Sequence, residues 1–263
     1  MKIDFHTHGK LAKKLPFSTE YTDWLLEEAR RAGLDAICLT EHFNTLQFDE
    51  LYGYLLSVSE REGDTLLMPN GLRIFAGMET DIAEGGHILS LGSPETVMEL
   101  NRRLEPHKTC DNFLPFAKLR DLYDEYVVIV GAGHPFREGG HIPELPQDQL
   151  VRFDFLDLNG KDMAENRART RSLTYGLAKK LNKPVVAGSD THQAVQYGCI
   201  FTSFESSCIT TLDELRSQIS DGRYEIEVAL SAPFQVHTAC LLKKALKEIH
   251  ALGGDYVSIL SNP

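Results

Sequence analysis

Short aliphatic or β-branched runs alternate along this chain with longer amphipathic stretches, the pattern of a sheet joined by crossover helices. Residues 3–5 form the first predicted strand. Trp24, Leu25, Glu28, Ala29 and Ala32 then fall at helical spacing, and Gly33 supplies the stop. Residues 36–40 read as a buried strand. Residues 48–61 carry Leu51, Tyr54, Leu55 and Val58 on one helical face, while 73–77 and 88–92 read as strands. Ser93-Pro94-Glu95 combines an N-cap, a first-turn proline and an acidic residue, which starts a helix to about residue 104. Residues 114–126 form the next helix. Strands follow at 127–130, 155–158 and 185–187, with a helix over about 164–181 between the last two. Residues 200–204 and 224–230 add strands around a helix beginning near Leu212, and 235–252 form the closing helix. About seven strands in the alternating part suit a closed or nearly closed barrel. The stretches 11–18 and 105–112 are irregular and are expected to lie as lids over a site.

Polar bursts stand where these apolar runs stop. His6 and His8 follow KIDF, Glu41-His42 follows DAICLT, Glu79 follows RIFAGM, His134 follows VVIVGAG, and Asp190 and His192 follow VVAGS. In parallel α/β architectures the carboxyl ends of the strands emerge on one face, so such residues converge. His87 precedes its strand and joins them only if that segment runs back toward the site. Imidazoles mixed with carboxylates suit Zn, Mn or Fe, whereas an all-oxygen set suits Mg or Ca. His6 and His8 lie two apart, a spacing that points side chains to one side of an extended segment, and Asp190 and His192 repeat it. Two such pairs facing each other, with Glu79 between, can hold two or three cations. A lone histidine at a strand end is more often a hydrogen-bonded structural residue; the coincidence of at least five strand-associated groups points to a shared metal site. Glu41 and Asp81 read as solvated loop charges, and Asp4 as a group that orients a ligand histidine through its other ring nitrogen.

With 263 residues and 42% hydrophobic composition, the chain can bury a full core and is expected to form a single domain over 1–263. The net charge of −11 argues against a sequence-independent grip on phosphates, so no extended nucleic-acid surface is expected. Cys38, Cys110, Cys199, Cys208 and Cys240 are odd in number and lack CxxC spacing, which reads as mostly buried thiols rather than a disulfide framework or zinc ribbon. No apolar run approaches the ~18 residues of a membrane span, and the expected location is cytoplasmic. Oligomeric state has no signature here.

His6-Thr7-His8, Thr40-Glu41-His42, Gly77-Met78-Glu79, Gly86-His87-Ile88-Leu89, Gly133-His134-Pro135 and Gly188-Ser189-Asp190-Thr191-His192 resemble, in order and type, the motifs of the polymerase and histidinol phosphatase (PHP) superfamily. The resemblance covers roughly residues 1–205. It implies a distorted (β/α)7 TIM-like barrel, a centre of two or three divalent ions (Mn, Zn or Fe), and phosphoester hydrolysis. By the same resemblance His6, His8, Glu79 and Asp190 would hold one cation, and Glu79 would bridge to a second held by His134 and His87. His42 and His192 would face a third. Many members place a further histidine or aspartate shortly after the HxH motif, where this chain has Lys10, Lys13 and Lys14. A protonated ammonium cannot ligate, so Lys10 or Lys14 would instead offer charge to a phosphate or form a solvated basic loop.

Arg137 is the first candidate for a phosphate fork, with Arg167 and Arg169 behind it. His192 or His42 is the candidate general acid if the third ion is absent. The expected reaction is hydrolysis of a small phosphomonoester, as in histidinol phosphatases, by metal-activated water. A phosphodiesterase or nuclease, a metal-dependent amidohydrolase and a noncatalytic metal scaffold are the alternatives.

Overall fold

The computed structural model describes residues 1–261. Strand β1 (Lys2–Thr7) leads through helix α1 (Thr19–Arg31) to a parallel strand β2 (Ala36–His42). Helix α2 (Phe48–Val58) precedes a hairpin of β3 (Glu60–Glu62) and β4 (Thr65–Leu67), which delivers the chain to β5 (Arg73–Asp81), parallel to β2. Strand β6 (His87–Leu91) turns back antiparallel to β5, and helices α3 (Pro94–Arg103) and α4 (Phe116–Tyr123) follow. Strand β7 (Ile129–Gly133), the short helix α5 (Gln147–Leu150), β8 (Phe155–Asn159), α6 (Gly160–Leu181) and β9 (Val185–Gly188) complete the alternating part. Strand β10 (Ile200–Phe204), α7 (Leu212–Asp221), β11 (Tyr224–Val228), α8 (Ala232–Ala251) and α9 (Ser258–Ser261) end the described chain.

The strands run in the order β11-β10-β1-β2-β5-β6-β7-β8-β9. Strands β1, β2 and β5 are mutually parallel, as are β7, β8 and β9, while β6 joins the two sets antiparallel to both neighbours. This reversed strand distorts the barrel. The β9 end of the path then comes round to β1. Its edge pairs with β10 only at Lys2 and Ile3. Beyond them the chain leaving β9 takes over: Asp190 N donates to His6 O at 2.7 Å and His8 N donates to Thr191 O at 3.0 Å. The result is a nearly closed, barrel-shaped mixed α/β sheet, in agreement with the TIM-like expectation.

Alternation along the strands explains why the site lies where it does. Ile3, Phe5, Cys38, Phe75, Leu89, Leu91, Ile129, Phe155 and Val186 form one buried cluster inside the barrel, and a larger cluster fills the space between sheet and helices. Residues two apart share a strand face. Continuing the inward face from Phe75 reaches Glu79, from Phe155 reaches Asp157, from Val186 reaches Asp190, and backward from Leu91 through Leu89 reaches His87. In β1 the register with β2 slips between Asp4 and Thr7, which switches the inward face from Phe5 to His6 and His8.

Several elements differ from the periodicity reading. Helix α2 ends at Val58 because Ser59 is extended, and the expected helical residues to 61 instead enter a hairpin turning at Gly63 with φ 61°. Strand β7 lies two or three residues after the predicted position, because Val127 is exposed and pairing starts at Ile129. Helix α4 is shorter than predicted, since Pro115 fixes its start and the chain turns after Tyr123. Helix α6 starts earlier, where the Asn159 side chain caps Lys161 N. Cys38 and Cys199 are buried as expected, whereas Cys110 and Cys208 are exposed. Among the described residues no helix is long and apolar enough to cross a membrane.

Closure depends on Gly188, where an added Cβ would sit 2.2 Å from His6 Cβ and 2.7 Å from His6 N. Gly188→Ala is therefore expected to lower unfolding free energy by roughly 1–3 kcal/mol and to weaken divalent-ion binding through displacement of His6. Urea unfolding and calorimetric titration check the two effects; full ion affinity in the variant would show that β1 and β9 need not approach so closely.

Candidate metal centre

Glu79, at the end of β5, is buried and faces five imidazoles. Its Oε1 lies 3.3 Å from His6 Nε2, 2.5 Å from His87 Nδ1 and 3.1 Å from His134 Nε2. Its Oε2 lies 2.8 Å from His42 Nδ1 and 3.6 Å from His8 Nε2. Asp190 completes the ring of ligand types, with Oδ1 3.4 Å from His8 Nε2. His87 reaches this set because β6 runs backward, placing it opposite Asp81 of β5 and Gly133 of β7. All eight side chains that sequence reasoning singled out thus meet at one end of the barrel. Two of them, His134 (φ 30°) and Asp190 (φ 58°), sit on left-handed backbone, a conformation that costs energy for residues other than glycine.

The supporting groups were less visible in the sequence. Asp157 Oδ2 lies 3.0 Å from His6 Nδ1 and accepts from His134 N at 3.2 Å, so it fixes His6 with Nε2 toward the centre. Asp4 does not orient a ligand ring in this way, because its Oδ1 accepts from the backbone N of Ser189 and of His6 instead. Neither Glu41 nor Asp81 is a solvated loop charge. Glu41 is fully buried and lies 3.7 Å from His8 Nδ1; Asp81 Oδ1 lies 2.9 Å from His87 Nε2. The Lys10 carbonyl accepts from His192 Nδ1 at 2.9 Å, which leaves the other ring nitrogen a lone pair. A carboxylate within an apolar strand, as in Phe155-Leu156-Asp157, was the available signal for Asp157.

The donor set fits divalent cations. Ligand atoms of His6, Glu79 and His134, of His6, His8 and Asp190, and of His8, His42 and His192 form three groups, each with atoms within 4.8 Å of one another. His6 Nε2, His8 Nε2 and Glu79 Oε2 are buried and make no hydrogen bond, a costly condition unless a ligand satisfies them. Burial opposes ionisation of Glu79, yet His87, His42 and His6 together hold its carboxyl well below the usual range. Burial, reinforced by Arg137, brings His134 down to about 4, so this imidazole is neutral and has a free lone pair. Against burial, Glu79 and the other carboxylates raise His6, and Glu79 and Asp81 push His87 up to about 10. The cluster attracts positive charge, which protons or cations can supply.

Residues 168–224 match the PHP-associated family model (PHP_C). Among solved structures, PsfC from Pseudomonas syringae PB-5123 is similar with a TM-score of 0.74 and 20% identity, over 93% of this chain and 98% of that one. The PHP-associated match agrees with the resemblance carried by the motifs, and the likeness to PsfC shows a shared fold. Two endonuclease Q structures also share the fold. One, in complex with a 27-mer duplex bearing an abasic lesion at the active site, has a TM-score of 0.62 and 18% identity, over 86% of this chain and 58% of that one. The other, PfuEndoQ from Pyrococcus furiosus, has a TM-score of 0.61 and 17% identity, over 86% and 57%. This chain therefore spans less than two thirds of those endonucleases. No curated protein matches it in sequence.

The expectation that no nucleic-acid surface is present is overturned by the fold shared with endonuclease Q, one structure of which holds a DNA duplex. Net charge sums the whole surface and is silent about local grouping: Lys161, Lys243, Lys244 and Lys247 gather around one cavity beside Asp190 and His192. The phosphate-binding candidates also need correction. Arg137 does not present a free fork, because Nε, Nη1 and Nη2 bond Asp162 (2.9 Å), Asp190 (2.8 Å) and Asn159 (2.8 Å); it positions Asp190. Lys10 is buried and its ammonium bonds Thr45 Oγ1 and the Leu46 carbonyl, tying down a loop rather than facing substrate. Lys13 lies 3.8 Å from Asp81, while Lys14 and Arg167 are exposed and line neither cavity at the centre. Arg169 lines a cavity of about 370 Å³ with His134, Arg137 and Lys161. Lys161, missed in the sequence, lies just beyond β8 with Nζ 3.4 Å from Asp190.

Because His6 and His87 are pulled toward protonation, ion binding is expected to release protons and to strengthen as pH rises. Calorimetric titration of Mn or Zn in buffers of different ionisation enthalpy reads the proton count; none released would contradict the charge assignment. Asp157→Asn is expected to weaken ion binding by about 10–100-fold while far-UV circular dichroism stays unchanged.

Proposed function

We propose that this centre binds two or three divalent cations and hydrolyses phosphate esters, with a small phosphomonoester as substrate. The observation that carries the reading is the meeting of eight ligand-type side chains, Glu79 among them, at one end of the barrel, with buried nitrogens and an oxygen left without hydrogen bonds. His6, His8, Glu79 and Asp190 would hold one ion, Glu79, His87 and His134 a second, and His42 and His192 would face a third. Such ions supply Lewis acidity toward water and toward a phosphoryl oxygen. The PHP-associated match supports hydrolysis as the reaction class.

The chain's own residues then orient and neutralise. Asp157 and the Lys10 carbonyl fix the rings of His6 and His192, and Arg137 fixes Asp190. Lys161 and Arg169 line the 370 Å³ cavity that opens beside His134 and would meet phosphate oxygens there. Its volume suits a small ester. His192 is poorly suited to the acid role considered for it: its Nδ1 hydrogen is committed to the Lys10 carbonyl, and burial followed by the charge of His8 holds the ring well below its usual range. Burial also lowers His42. Both are better ligands than proton donors.

A phosphodiester substrate is the second reading, favoured by the fold shared with endonuclease Q. With the Mn-loaded protein, phosphate release is measured from monoesters, release of the alcohol from diesters, strand scission of an abasic duplex and, for the amidohydrolase alternative, amine release from amides. The expected result is monoester turnover that chelation abolishes, Mn restores and Asp190→Ala eliminates. Cleavage confined to diesters or DNA replaces the first reading with the second, and inertness toward all phosphate esters refutes both.

A further inference from the structure

The cavity between the start of α6 and helix α8 is the strongest feature the proposed reaction does not use. It has a volume of about 240 Å³ and is lined by Lys161, Asp190, His192, Lys243, Lys244 and Lys247. It opens onto the same Asp190 that faces His8, and Lys161 lines both this cavity and the 370 Å³ one. We propose that this cavity binds a second oxyanion of the substrate, a carboxylate or a further phosphate, through Lys243 and its neighbouring lysines. The proposal rests on the reading of the centre as a phosphoester hydrolase, which it extends to substrates carrying two anionic groups.

Three observations support it. Lys243, Lys244 and Lys247 make no hydrogen bond or ion pair among the described residues, whereas Lys161, which lines the same cavity, is paired with Asp190. Lys243 and Lys247 also stand one helical turn apart, where like charges repel. The polar amides in the cavity wall are already committed, since Gln193 Nε2 donates to Tyr21 OH and Gln196 Nε2 to the Ser189 carbonyl. Lysine ammoniums are therefore the donors left facing the space. Finally, burial, then Lys161 and Lys247, holds the part-buried Lys243 ammonium down to about 8 against the pull of Asp190 and Glu41. A bound anion would offset that repulsion and supply the missing acceptors.

Two measurements test this separately from turnover. In metal-free protein, limited acetylation of lysines followed by mass spectrometry is run with malonate, pyrophosphate or sulfate as probe. A fall in Lys243 labelling on adding the anion, with the exposed Lys180 unchanged, is expected, and Lys243 labelling that the anion does not alter overturns the proposal whether or not the protein is a hydrolase. With Mn-loaded enzyme, phosphoserine and phosphoethanolamine form a pair that differs by one carboxylate. Lys243→Gln is expected to cut the kcat/KM preference for phosphoserine by about tenfold, through KM, and Lys247→Gln by less. An unaltered preference in both variants overturns a carboxylate as the second group. A preference for a dinucleotide bearing a 5′-phosphate over one without, lost in Lys243→Gln, supports a phosphate as the source. Failure to hydrolyse any ester defeats the hydrolase reading, while the protection measurement still decides the anion site.

Discussion

A carboxylate buried among imidazoles governs the architecture of this end of the barrel. Glu79 has both oxygens within 3.6 Å of five histidine rings, and removing such groups from water is costly unless charge is balanced and lone pairs are used. Balance is only partial within the protein, since buried nitrogens of His6 and His8 and one oxygen of Glu79 find no hydrogen bond. A cation suits that set, because it uses several lone pairs at once. The surrounding residues act on the cluster indirectly: Asp157 behind His6, Glu41 behind His8, Asp81 behind His87 and Arg137 behind Asp190.

Precision at the cluster is set by backbone contacts as much as by side chains. The register slip in β1 turns His6 and His8 inward, and the close passage of Gly188 brings Asp190 beside them. Gly131 serves the layer beneath, since a Cβ there would lie 2.2 Å from the Phe155 ring. The packed interior is thus the platform on which the ligand ends stand, and left-handed backbone at His134 and Asp190 is held by that packing.

Charge is distributed unevenly over the molecule. The chain carries −11 overall, yet four lysines collect in the cavity between α6 and α8. Two cavities meet at Lys161, one beside His134 and one beside His192. An anion entering between α6 and α8 meets four lysines against the single carboxylate of Asp190, a local field that favours negative charge. Acidic balance elsewhere favours solubility without weakening this local field, because screening confines each charge to its neighbourhood.

Much of the fold and nearly all of the inner site were legible in the sequence, because strand-end position and residue type are local properties. His6, His8, His42, Glu79, His134, Asp190 and His192 each follow an apolar run, and parallel strands bring such ends together. Tertiary structure decided the rest. The direction of β6 determines whether His87 reaches the centre, and direction depends on pairing with β5 and β7 rather than on composition. The targets of Arg137 and Lys10 could not be inferred from their proximity to motifs, since long cationic side chains bond whatever packing places within reach. The lysine cavity arises from α8, distant in sequence from every motif and adjacent to the site only because the helix packs against α6. Sequence by itself determined which side chains have the chemistry; the closed sheet and its helices decided which of them face one another, because contact is a property of packing.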